Sequence, residues 1–198
     1  MGKATVDKRV DNKMFNPWRM IWHVFGGIIP ILYYFVPLAK VTVLAIIVLF
    51  FLLLLAFDII RLRIPSLNQK FITKYSFLIR EYEKTQFNTT TYFLLASFLS
   101  ILLFPKDIAV VVLCFLAFGD TIASFIGSTF GRIKIFDKTI EGSMACFLVC
   151  FIIANVLLGF RLSLIGALVA TFVELLPLKI NDNLLIPLIS GTIMTMVY

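Results

Sequence analysis

Seven long apolar stretches constrain this chain more than any other feature, at about 20–38, 41–59, 90–105, 108–128, 143–160, 162–178 and 184–198. A helix needs about 20 apolar residues to cross the hydrocarbon core of a bilayer. Several stretches fall short of that, the third and seventh most of all. Even so, a chain of 198 residues that is 61% hydrophobic, with mean hydropathy +1.01, carries more apolar surface than one water-soluble core can hide. Lipid is the expected solvent. The expected fold is an all-α polytopic membrane protein of about seven transmembrane helices. Pro30 and Pro37 are expected to kink or end the first span. Residues 1–18 read as a polar, net-basic tail and 19–198 as one transmembrane catalytic domain. No cleavable signal peptide is expected, so the first span would anchor the chain.

Charge gives the spans a direction. With seven crossings, the tail, 60–89, 129–142 and 179–183 share one side of the membrane. Of the 18 Lys and Arg, only Lys40, Lys106 and Arg161 fall on the other side. Basic residues collect in cytoplasmic loops, so the N-terminus is expected in the cytoplasm. The same rule accounts for the net charge of +7 without nucleic acid, for which no basic soluble domain remains. Segment 64–87 is too polar to span. Leu67, Phe71, Tyr75, Leu78 and Tyr82 recur there every three or four residues, which predicts one amphipathic helix on the cytoplasmic interface. Cys114, Cys146 and Cys150 all lie in apolar segments and read as small hydrophobes, not as a disulfide framework.

Acidic residues in or beside spans are costly in lipid and are functional candidates. On this topology Asp58, Asp120, Glu141, Glu174 and Asp182 converge on the cytoplasmic face. A proton or ion pathway would favour charges at the midplane. Charges near the headgroups suit a reaction between a water-soluble donor and a lipid. Asp120, Ser124, Gly127 and Gly131 recur at helical spacing and share a face. A seam of small residues can also be helix packing, which leaves the carboxylate unexplained. Arg132, Lys134 and Lys138 then precede Thr139, Glu141 and Gly142 at the start of the fifth span. Cations before a helix N-terminus suit phosphate. Thr139 could equally be a helix cap, and Glu141 a partner of the helix dipole. A triphosphate with Mg²⁺ accounts for cations and carboxylates together. His23, the single histidine, lies one turn after Arg19; it reads either as structural or as a phosphate contact or proton carrier. Asp58 and Arg61 read as a local ion pair at a helix end.

The stretch GDTIASFIGSTFGRIKIFDKTIEGSMA at 119–145 resembles the shared motif of membrane-embedded enzymes that use CTP on lipids. Three further segments are similar to the polyprenol kinase family, which includes dolichol, phytol and farnesol kinases and the CTP-dependent diacylglycerol kinases. These are RMIWH at 19–23, FDIIRL with REYE at 57–62 and 80–83, and VELLPLKINDNLLIPLISG at 173–191. Asp137 departs from the pattern, where the kinases often carry a basic residue. The resemblance implies transfer of the γ-phosphate of CTP, or another NTP, to a lipid hydroxyl at the cytoplasmic face of a plasma or ER membrane. It implies Asp120, Glu141 and His23 in catalysis. Arg19, Gly127, Gly131, Arg132, Lys134, Lys138, Thr139 and Gly142 would surround the nucleotide. Asp120, Glu141, Glu174 and Asp182 would face the metal, with Asp58, Arg61, Ser124 and Asn183 in support. CTP, a lipid alcohol and the bilayer are the expected partners, with a homo-oligomer open. A CDP-lipid-forming cytidylyltransferase shares the CTP motif, but its C-terminal motif does not follow Gly142. A small transporter is the remaining alternative, although no pseudo-symmetric halves are evident.

Overall fold

The computed structural model describes residues 17–79, 81–177 and 181–198. The tail to residue 16, Arg80 and Lys179 lie outside the described residues. Apolar helices of two kinds build the fold. One kind is largely apolar and buried over most of its length. Helix α6 (Lys106–Cys114), a π-helical turn (Phe115–Gly119) and α7 (Asp120–Phe130) form one 25-residue rod whose apolar window is 78% buried. A helix that is apolar and buried on most sides occupies the centre of a bundle. Around it pack α2 (Ile28–Phe35), α5 (Thr89–Leu103), α8 (Ile140–Leu158) and α10 (Asp182–Val197). Ile101, Ile108, Leu113, Phe115, Cys150 and Met194 are fully buried in the resulting core.

Helix α3 (Lys40–Arg63) is the other kind. It has the highest mean hydropathy of the three long apolar helices, yet only 11% of its window is buried. Leu49, Phe50, Leu52 and Leu53 stand exposed along it. Burying one such side chain is worth about 1.5–3 kcal/mol, so a helix of this kind is stable only with lipid against that surface. Helix α3, the central rod and α8 are long and apolar enough to cross a membrane by length and composition; Met20–Phe35, Thr89–Leu103 and Asp182–Val197 are shorter apolar helices. The molecule is thus a predominantly helical membrane protein.

The connections follow local chemistry. The first apolar stretch is divided into α1 (Pro17–Gly26) and α2 at Gly27, ahead of Pro30. Pro30 is accommodated inside α2, and the stretch ends at Phe35, before Pro37. Helix α9 (Phe160–Leu175) follows α8 after a single residue, Gly159, whose φ of 76° is a conformation other residues rarely adopt. Between α7 and α8 the expected basic loop is a small hairpin, β1 (Lys134–Ile135) against β2 (Lys138–Thr139), with Lys134 opposite Thr139. Phe136 at its tip has φ 53°, which is uncommon for a residue with a side chain.

The amphipathic helix expected over 64–87 is shorter than its periodicity suggests. Helix α4 covers Pro65–Tyr75, and the chain then folds back through a 3-10 turn at Glu81–Lys84. The reason is local hydrogen bonding. Arg61 of α3 donates to the backbone carbonyls of Glu83 (3.1 Å) and Gln86 (2.7 Å), and Asn68 of α4 donates to that of Lys84 (2.9 Å). These bonds hold the segment against the helix ends where α4 stops.

Candidate active site

Four elements bring charge together at one end of the bundle. Asp120 begins α7 directly after the π-helical turn and is buried. Such turns are rare and are often found at functional sites. Lys138 projects from β2, donating from Nζ to Glu174 Oε1 at 2.5 Å and lying 3.9 Å from Asp120 Oδ1. Glu174, buried near the end of α9, is also within 3.5 Å of Ser143 Oγ on α8. Burial alone would lower the pKa of the Lys138 ammonium, but the charges of Asp120, Glu174 and Asp182 outweigh it and raise the group above its ordinary value. Three carboxylates among the described residues thus act on the Lys138 ammonium. Among the described residues, no three His, Cys, Asp or Glu side chains gather as a metal cluster.

The glycines of this stretch serve close approach. A Cβ on Gly142 would come within 2.7 Å of the Ala123 carbonyl oxygen, and one on Gly127 within 2.8 Å of Thr139 Oγ1. Only glycine lets α7 and α8 cross at that separation, which holds Asp120 and Lys138 in register. A Cβ on Gly131 would meet the backbone of Gly127 and the side chain of Thr139. Thr139 caps α8, its Oγ1 accepting from Gly142 N–H at 3.2 Å.

Other anticipated residues lie elsewhere. The Glu141 carboxylate is directed at the Ile133 N–H (3.3 and 3.4 Å), so it braces the hairpin and is not joined to Asp120. Arg132 and Lys134 are exposed on the hairpin, and Ser124 is exposed on α7. Arg19 falls within α1, but its side chain is outside the described residues. His23 is buried in α1, and Asn183 is buried at the start of α10.

Asp58 and Arg61 form a second buried cluster. The pair itself is at 2.7 Å, and Arg61 is completely buried. Arg61 also donates to Asn68 Oδ1 (3.0 Å) and to two backbone carbonyls, with its guanidinium over the Phe71 ring at 5.0 Å. The other oxygen of Asp58 accepts from Asn88 N–H (2.8 Å) and Thr91 Oγ1 (2.7 Å). Glu83 accepts from the Thr89 N–H (2.7 Å) and hydroxyl, while Asn88 caps α5 through the Thr90 N–H (3.0 Å). The Thr89 carbonyl in turn accepts from Asn183 Nδ2 at 3.4 Å. This cluster therefore ties α3 and α5 to the residue next to Asp182. Sequence reasoning found the ion pair but missed Thr89, Thr91 and Ser143, hydroxyl residues that carry no signal inside apolar segments. It also missed the capping role of Glu83.

The fold and this site together define a helical membrane protein with a compact charged centre at one end of the bundle. A protein of Rickettsia prowazekii, named uncharacterized protein RP860, is 32% identical over 88% of this chain and 90% of its own length. The chain belongs to one family with it, within a broader group of relatives that includes CTP-dependent lipid kinases. The CTP-dependent diacylglycerol kinase 1 of Eremothecium gossypii is 29% identical over 73% of this chain, which spans 55% of that enzyme. Its namesake in Saccharomyces cerevisiae is 27% identical over 90% of this chain and 72% of its own length. No protein-family model and no solved structure matches the chain.

Proposed function

We propose that this chain transfers the γ-phosphate of CTP to the hydroxyl of a lipid alcohol, with diacylglycerol the first candidate acceptor. One observation carries the reading: Lys138 lies between the buried carboxylates of Asp120 and Glu174, beside a basic hairpin, at one end of an otherwise apolar bundle. The names of the fungal relatives supply the donor and acceptor. The distribution of Lys and Arg supports a cytoplasmic site and seven crossings.

The acceptor oxygen attacks the γ-phosphorus, the bond from that phosphorus to the β-bridging oxygen breaks, and CDP leaves. The hydroxyl proton is released to a nearby base. Asp120 and Glu174 fit Mg²⁺, which commonly takes one or two carboxylates and completes its shell with phosphate and water. When bound, the ion would neutralise charge on the phosphates. Lys138 holds the two carboxylates in place and offers its charge to phosphate as substrate arrives. Arg132 and Lys134 attract the nucleotide from solution. Glu141 fixes the hairpin backbone that presents them. Catalysis rests on alignment and charge neutralisation without a covalent intermediate.

CTP labelled either at the γ-phosphate or in the cytidine tests the reading. The purified protein, in vesicles with Mg²⁺, is offered diacylglycerol, dolichol, phytol and farnesol. The γ-label is expected in lipid. Cytidine in lipid would make the chain a CDP-lipid-forming enzyme instead, and no transfer to any acceptor would remove the enzyme class.

A further inference from the structure

A second polar feature lies outside the charged centre. Helices α1, α2, α5 and α10 line a cavity of about 250 Å³ that opens to the surface. Its walls divide by chemistry. Trp22, Phe25, Gly26, Ile29, Phe93 and Leu94 make one part apolar. His23, Thr89, Thr90 and Asn183 make the other polar. His23 is only 8% exposed, and Asn183 is 1% exposed. His23 and Asn183 thus place buried polar side chains in the wall of a cavity that is otherwise largely apolar.

We propose that this cavity is the port for the lipid acceptor, which holds its hydroxyl end at His23 and Asn183 while its chains remain in the bilayer. The inference rests on the lipid-alcohol kinase reading and names the route by which that substrate reaches the charged centre. Three observations select an amphiphile of this kind. The cavity is smaller than the roughly 300–1,000 Å³ that encloses a whole drug-sized ligand, so it suits one end of a longer molecule. Its lining includes large aromatic side chains that reach the surface of the bundle. Trp22 and Phe25 are more than half exposed, and the Trp22 indole donates to Thr90 Oγ1 at 3.0 Å. Tryptophan in such a position favours the headgroup level of a membrane. The polar end also leads inward, because Asn183 adjoins Asp182, whose charge acts on Lys138. A water-soluble nucleotide needs no apolar half-wall, whereas an alcohol on a hydrocarbon tail needs both halves.

The test uses the full chain in lipid nanodiscs. A diacylglycerol carrying a diazirine near its glycerol is photolysed, and the labelled peptides are mapped by mass spectrometry. Label is expected in residues 17–29 and 89–94. Leu94→Trp, which fills the apolar wall, is expected to cut that labelling and to raise KM for diacylglycerol about tenfold, with KM for CTP within about twofold. Trp22→Ala opens the mouth without adding bulk to the core and is expected to shift the lipid KM alone. It keeps the test decisive if Leu94→Trp loses its thermal transition. Label confined to the outer faces of α8 and α9, or lipid and CTP KM values rising together, would overturn the port. Specific labelling of the cavity without phosphate transfer would leave the port standing and remove the kinase reading. Transfer without such labelling would do the reverse.

Discussion

Lys138 is the residue on which the charged centre depends, because it is the one cation placed against Asp120 and Glu174 among the described side chains. Lys138→Met would take the ammonium away from the buried carboxylates of Asp120 and Glu174. Breaking a buried pair by removing one partner costs about 3–5 kcal/mol, and the partial exposure of Lys138 puts the expected loss at the lower end. A lowered midpoint in thermal unfolding of the detergent-solubilised protein would measure it. The pH dependence has a definite sign. The carboxylates raise the ammonium above its ordinary 10.5, so its contribution is complete below that value and is lost only as pH rises through the higher folded value. Wild-type stability should show that alkaline loss, and the Met variant should not. Asp120→Asn removes charge with little change of shape. Turnover should disappear while the protein still inserts and unfolds at a similar temperature. Near-normal phosphate transfer in that variant would remove Asp120 from the chemistry.

Among the elements, the contacts that set the site are hydrogen-bonded helix ends. Arg61 joins α3, α4 and the segment before α5 through four hydrogen bonds. A lysine has no planar fork to meet acceptors in that arrangement. Arg61→Lys is therefore expected to destabilise the protein by on the order of 3 kcal/mol, seen as a lower unfolding midpoint, with proteolysis first appearing near 76–88. Loss of activity without any loss of stability would instead mean that Arg61 meets substrate. This cluster also shows where sequence reading stops. Asp58 and Arg61 were legible as a pair because charges stand out at a helix end. Their burial was not, because it depends on Glu83 and Gln86 returning from more than twenty residues away. The 64–87 periodicity was read as one helix for the same reason: spacing reports a possible helix and says nothing of a carbonyl captured by a distant guanidinium. The small-residue face from Asp120 to Gly131 was legible as a face. The π-helical turn that positions its first carboxylate was not, since Phe115–Gly119 reads as ordinary apolar helix.

At the scale of the whole molecule, apolar patterning outlined every long helix, because lipid and a buried core both select the same residue types. Which helices lie central was not legible. The central rod and α3 are both strongly apolar, yet one is 78% buried and the other 11%. Only packing separates them. Orientation is a different matter, for it rests on the loops. Arg132, Lys134 and Lys138 flank the proposed chemistry, whereas Lys106 and Arg161 mark the opposite helix ends. If the basic end faces the cytoplasm, Lys134→Cys should react with a membrane-impermeant maleimide in inside-out vesicles and stay protected in intact cells. Arg161→Cys should behave in the opposite way. The three native cysteines are buried, so they contribute little background. Labelling of both positions from one side would require an even number of crossings between 134 and 161. That would conflict with the antiparallel run of α8 and α9, and with it the proposal that nucleotide and lipid meet at one end of the bundle.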